Sequence, residues 1–202
     1  MNSTNMPFSL IRQQLFEHYG WEFDSLTDRM LDTALGLLAI ELQLTKTDVI
    51  KQLPNNSQIR EKLLDHLVIP ETSFFRYPES FAFLKSIVHK WFLKNKGKKI
   101  RIASIPCATG EEPYSIAMSL LDAGINFEQF EIDALDISLP LIQKAQLGIY
   151  STNKSIQYTQ LLNSKYVDKH PAGLQIKTNI RKHINFIHGN ITQMPATFLK
   201  KI

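Results

Sequence analysis

Residues 107–117 read CATGEEPYSIA, from Cys107 to Ala117. One apolar run, IRIASI (100–105), precedes them, and a second, IAMSLL (116–121), follows. Strand, glycine turn and helix start in that order usually form a phosphate cradle, in which backbone N–H groups and a Lys or Ser meet the negative charge. This turn supplies two carboxylates instead, Glu111 and Glu112. The order predicts the opening of a βαβ unit, and the charge predicts a ligand whose near end is not a pyrophosphate.

The pattern continues downstream. FEIDALDIS (130–138) reads as a second strand ending near Asp136, LPLIQKAQLGIY (139–150) as a helix closed by Gly148, and HINFIHGNI (183–191) as a third strand. Strands alternating with helices at this spacing predict an α/β domain with a parallel, doubly wound sheet. Between Tyr150 and Arg181, GLQIKTN offers a further short strand.

Upstream the chain reads as helices. Phe8, Ile11, Leu15 and Tyr19 share one helical face, and Ser25 with Asp28 and Thr45 with Asp48 read as capping pairs. MLDTALGLLAIELQL (30–44) is apolar on more than one side, which suits the interior of a small bundle. LPNNSQ (53–58) reads as a loop and IREKLLDHL (59–67) as another helix. Pro70 and Pro78 bracket VIPETSFFRYPES (68–80) and predict an extended segment there. A helix follows with Phe81, Leu84, Val88 and Trp91 on one face, and Gly97 is placed to end it. The expected organisation is a helical domain over 1–67, a linker over 68–80 and the α/β domain over 81–202.

Composition narrows the function. The chain has 202 residues, 44% hydrophobic and 21% charged, as in an ordinary globular protein. No run of about 18 apolar residues predicts membrane insertion, and MNSTNMPFSL lacks the basic and apolar regions of a secretory signal. One cysteine, Cys107, rules out an internal disulfide and fits a reducing cytoplasm. The six histidines are scattered, so no metal site is expected. Net charge is only +4, but Lys85, Lys90, Lys94, Lys96, Lys98, Lys99 and Arg101 run without an intervening acid. That stretch is either a solvated helix face with a lysine-rich turn or a surface for an acidic partner. Nucleic acid is disfavoured as that partner, because no aromatic residues interleave in the manner of a base-stacking platform.

In a sheet of this kind ligands bind at the carboxyl ends of the strands. Glu111 and Glu112 follow the first strand and Asp136 ends the second. An acid at the second position commonly accepts the ribose hydroxyls of an adenosine ligand. Acids in the first turn favour a cationic group at the ligand's other end, and disfavour NAD. S-adenosylmethionine combines these parts, and a carboxylate–ammonium hydrogen bond is worth roughly 1.5–3 kcal/mol. Each acid also has a plainer reading, as a helix-dipole complement for the glutamates and as a helix cap for Asp136.

ETSFFRYPESFAFL (71–84), RIASIPCATGEEPYSIAMSLL (101–121), ALDIS (134–138) and AQLGIY (145–150) together closely resemble the chemotaxis-type protein-glutamate O-methyltransferases, the CheR family. The resemblance covers essentially the whole chain, and the pairing of TSFFR with TGEEPYS is its most specific part. It implies an N-terminal helical domain followed by a class I S-adenosylmethionine-dependent methyltransferase domain of Rossmann-like fold. It also implies methyl transfer to glutamate side chains on the cytoplasmic part of methyl-accepting chemoreceptors, with S-adenosylhomocysteine as product. By the same resemblance Thr72 and Arg76 contact the cofactor, and Arg76 stands near the reacting groups. Glu112 is the acid for the methionine end, Asp136 the acid for the ribose, and Asn190 and Ile191 of HGNIT line the adenine. The region from 150 to 181 corresponds to a small antiparallel subdomain for receptor contact. Phe74 and Phe75 are expected to serve the core. Two features depart from the family pattern: Pro70 stands where an Asn is usual, and no RN motif or further strand follows residues 189–191 before Ile202. The sheet is therefore expected to be incomplete beside its first strand. The alternative reading is a non-catalytic module that binds receptor or cofactor without turnover.

Overall fold

The computed structural model describes residues 6–21, 27–151, 161 and 165–199. The chain divides into two compact units, Met1–Ile69 and Pro70–Ile202.

The first unit consists of α1 (Met6–Tyr19), α2 (Asp28–Leu42), α3 (Lys46–Gln52) and α4 (Ser57–Leu67). Ile11, Leu15, Leu31, Leu35, Leu38, Val49, Leu63 and Leu64 are buried and form its core. Ser25 lies outside the described residues. The cap of α2 is Thr27, whose side chain accepts the Met30 amide. Thr45 caps α3 by accepting the Asp48 amide at 3.1 Å while its hydroxyl donates to the Asp48 carboxylate at 2.6 Å. The expected loop over 53–58 is tighter than its polar composition suggested. Leu53–Asn55 form a 3₁₀ turn, and Asn56 then caps α4 by accepting the Ile59 amide. Glu41 of α2 takes hydrogen bonds from Lys62 and His66 of α4, and the Lys62 bond above all holds its carboxyl below the usual range.

The second unit opens with residues 70–77 and α5 (Pro78–Lys94). Phe81, Leu84 and Trp91 of α5 pack on the core and Val88 is buried within it, the face that the 3.6-residue period predicts. The helix ends two residues earlier than Gly97 would place it. Asn95 is the cap, with both its backbone amide and its side-chain amide bonded to the Trp91 carbonyl.

The central sheet contains β1 (Ile100–Ser104), β2 (Phe130–Asp136) and β6 (Ile184–His188), all parallel, in the order β1-β2-β6. Between them lie α6 (Glu111–Asp122) and α7 (Leu139–Leu147), with Gly148 closing α7 at φ 60°. β2 is buried over almost its whole length, as a parallel strand paired on both sides must be. Among the described residues β1 pairs only with β2, so it stands at an edge. A second, antiparallel sheet has the order β3-β5-β4, from β3 (Ile149–Tyr150), β4 (Val167–His170) and β5 (Gly173–Ile176). Two short helices, α8 (Thr178–Arg181) and α9 (Ala196–Leu199), flank β6 in sequence. Lys99 and Arg101, the end of the basic stretch, pair with Glu131, and Arg101 also with Asp133. These two cations are thereby committed to the sheet.

Candidate cofactor-binding site

The site forms where β1 and β2 end side by side. After β1 the chain turns through Cys107–Gly110, and the Cys107 amide donates to the Leu135 carbonyl at 2.9 Å. Ala108 has φ 46°, a conformation that costs a non-glycine residue on the order of 1 kcal/mol. Its amide is held at 2.8 Å by Asp136 Oδ2. Gly110 has φ 95°, and a Cβ there would lie 2.9 Å from Ala145 Cβ and 3.0 Å from the Tyr150 hydroxyl. Conformation and space both require glycine at this position.

The two glutamates have different surroundings. Glu111 is 4% exposed, and its carboxylate accepts the Thr109 hydroxyl at 2.6 Å. Glu112 is exposed, with Oε1 accepting the Ser104 hydroxyl at 2.7 Å. A carboxylate oxygen has capacity beyond one bond, so Glu112 presents an oriented anion to the solvent side of the strand ends. Asp136 is 3% exposed and uses both oxygens on backbone amides, Oδ2 on Ala108 and Oδ1 on Ser138 at 3.0 Å. Each oxygen retains a second acceptor position. Burial first, and the carboxylate of Asp136 second, push the Cys107 thiol up to about 12, which leaves it neutral and inert.

The TSFFR segment is fastened to this turn from outside. Phe74 is fully buried with its ring edge-on to Tyr150 at 4.9 Å, and the Tyr150 hydroxyl donates to the Thr109 carbonyl at 2.7 Å. Phe75 packs against the core from its margin, with an unusual backbone. It is half-buried against Phe81, has φ 51°, and its amide donates to Ser115 Oγ at 3.0 Å. Thr72 is half-buried. Arg76 is exposed, its guanidinium bonded to the Glu71 carbonyl and side chain and lying over the Tyr77 ring at 5.3 Å.

At the end of β6 the Gly189 amide donates to the Asp136 carbonyl at 2.9 Å, which brings the next residues beside the second strand end. The Asn190 side chain caps the 3₁₀ turn Ile191–Gln193, accepting the Thr192 amide and hydroxyl. Ile191 is 36% exposed and offers an apolar surface.

The donor set suits a ligand with a cationic end. Between Ser104 and Ser115 there is no basic side chain, while Glu112 and Asp136 stand at adjacent strand ends. Among the described residues no cluster of His, Cys, Asp and Glu could hold a metal ion, and no helix is long and apolar enough to cross a membrane. Sequence reasoning missed Ser104, Thr109, Ser115 and Tyr150. Their available signal was polarity at positions that a strand end or an apolar helix face would otherwise fill with hydrocarbon.

A parallel α/β sheet with an acidic first turn is the arrangement of S-adenosylmethionine-dependent methyltransferases. The chain belongs to the CheR methyltransferase family: the family described as "CheR methyltransferase, SAM binding domain" matches residues 70–202, and the cofactor of this domain is S-adenosylmethionine. The chain is similar to a probable biofilm formation methyltransferase, WspC, of Pseudomonas aeruginosa, 41% identical over 133 residues covering 65% of this chain and 31% of that protein. It is similar to WspC of Pseudomonas putida at 32% identity, covering 88% of this chain and 42% of that protein. The chemotaxis protein methyltransferase of Borreliella burgdorferi is 28% identical across all of this chain and 75% of its own length. The chain thus spans less than half the length of the two WspC relatives it matches.

Proposed function

We propose that this chain carries out methyl transfer from S-adenosylmethionine to glutamate side chains of chemoreceptors, as a protein-glutamate O-methyltransferase. The observation that carries this reading is the pairing of an exposed, Ser104-anchored Glu112 with Asp136 at adjacent strand ends of a CheR domain. The names of its chemotaxis relatives support the receptor substrate.

When bound, the cofactor supplies an electrophilic methyl group on a sulfonium centre. Glu112 would hold the ammonium of its methionine end, Asp136 the ribose hydroxyls, Thr72 a further polar group, and Asn190 and Ile191 the adenine. A glutamate carboxylate is ionised at neutral pH and needs no general base. The protein's tasks are therefore alignment and exclusion of water. Arg76, released from Glu71, would orient the substrate carboxylate through its guanidinium fork.

The test is calorimetric titration with S-adenosylhomocysteine, followed by transfer of a labelled methyl group to receptor cytoplasmic fragments. Binding and transfer are expected; absence of binding overturns the reading. A second reading, binding without turnover, draws on Arg76 being tied to Glu71. Binding without any labelled product would favour it.

A further inference from the structure

Thr72–Arg76 and the first turn of α6 come from distant parts of the chain, and one hydroxyl joins them. Ser115 is fully buried. Its Oγ donates to the Glu111 carbonyl at 2.7 Å and accepts the Phe75 amide at 3.0 Å. One hydroxyl can do both, having one proton and two lone pairs. Phe75 needs such a hold, because φ 51° is disfavoured for a bulky residue and persists only where the surroundings fix it. The Phe81 ring at 5.3 Å and the core pack against the side chain, and the bond to Ser115 holds the backbone amide itself. The device matches the one on the opposite side of the turn, where Asp136 holds the amide of left-handed Ala108.

We propose that Ser115 is a positioning residue, which clamps the Thr72–Arg76 turn to the acid-bearing start of α6 so that both meet S-adenosylmethionine in register. The inference rests on the cofactor reading above. Ser115 is fully buried, with its hydroxyl bonded to the Glu111 carbonyl and the Phe75 amide. It acts through the Phe75 backbone, which sets where Thr72 and Arg76 stand.

Ser115→Ala removes the clamp, and Ser115→Thr restores the hydroxyl. Hydrogen exchange without ligand should show residues 70–77 exchanging about tenfold faster in Ser115→Ala, the order of one lost hydrogen bond, with 28–67 unchanged. Calorimetry with S-adenosylhomocysteine on the full chain should show binding about tenfold weaker in Ser115→Ala and largely recovered in Ser115→Thr. A double-mutant cycle distinguishes positioning from general loosening. The Ser115→Ala loss should merge with that of Thr72→Ala and add to that of Asp136→Asn. Wild-type affinity in Ser115→Ala, exchange raised evenly over 70–199, or simple additivity with Thr72→Ala would each overturn the proposal. A wild-type chain that binds no S-adenosylhomocysteine overturns the cofactor reading instead, and exchange at 70–77 then still decides whether Ser115 holds the turn.

Discussion

The amide of Ala108 donates to the carboxylate of Asp136 at 2.8 Å across 28 residues of sequence, joining the turn after β1 to the end of β2. The other oxygen of Asp136 takes the amide of Ser138, so one side chain supports two backbone segments at once. Removing it takes this acceptor from the Ala108 and Ser138 amides, each loss costing about 1–3 kcal/mol. Asp136→Ala is therefore expected to lower stability by about 2–4 kcal/mol and to abolish S-adenosylhomocysteine binding. Asp136→Asn keeps one acceptor and should fall between. Urea denaturation followed by calorimetry measures both effects.

Glu111 and Glu112 are neighbours with opposite surroundings, one buried and one exposed, and substitution should separate them. Glu112→Gln removes an exposed charge and should leave the melting temperature within a degree or two. Its binding of S-adenosylhomocysteine should weaken by about tenfold or more, the range of one charge-assisted bond. Glu111→Gln disturbs a buried carboxylate bonded to Thr109, and should cost about 1–2 kcal/mol of stability with a smaller effect on binding. Equal effects of the two substitutions on affinity would remove Glu112 from the ligand set.

Arg76→Ala should nearly abolish methyl transfer while the protein stays folded, because among the described residues the exposed guanidinium bonds Glu71 and lies over Tyr77. Surface contacts of this sort contribute little to stability, about 0–1 kcal/mol. A labelled-methyl assay that retained most of its activity would exclude Arg76 from the reaction.

Cys107 gives a prediction in pH. Burial raises its thiol to about 12, so the folded state favours the protonated form. That preference is fully present below the ordinary thiol range and is lost as pH rises towards about 12. Alkali should therefore erode stability from pH 9 upwards, with burial of Tyr114 acting in the same direction. At pH 8 a thiol-specific reagent should label the native protein slowly and the urea-unfolded protein at once.

Much of the α/β unit was legible because its signals are local. The apolar run ending at Asp136 is β2, Gly148 closes α7, and the acids fall where a strand meets a helix. GLQIKTN supplied β5. What the residues could not announce was non-local. That Ser115 holds Phe75, that Glu71 holds Arg76, and that Asp136 fastens Ala108 depend on segments brought together only by the fold. The left-handed Phe75 is the clearest case, since nothing in the sequence FFR favours that backbone and a distant hydroxyl, with packing on Phe81 and the core, holds it. Turn chemistry misled at short range as well, where Asn95 rather than Gly97 ended α5 because its side-chain amide reached the Trp91 carbonyl.

Tyr150 belongs to three parts of the second unit: it is a strand residue of the small sheet, its hydroxyl bonds the Thr109 carbonyl, and its ring meets Phe74. The small sheet is therefore not an exchangeable module. A chimera that took β3–β5 from a relative without a tyrosine at this position would unhook the glycine turn and loosen the TSFFR segment in one step. Any graft of a new recognition surface onto this domain has to keep that side chain or replace its moorings to Thr109 and Phe74.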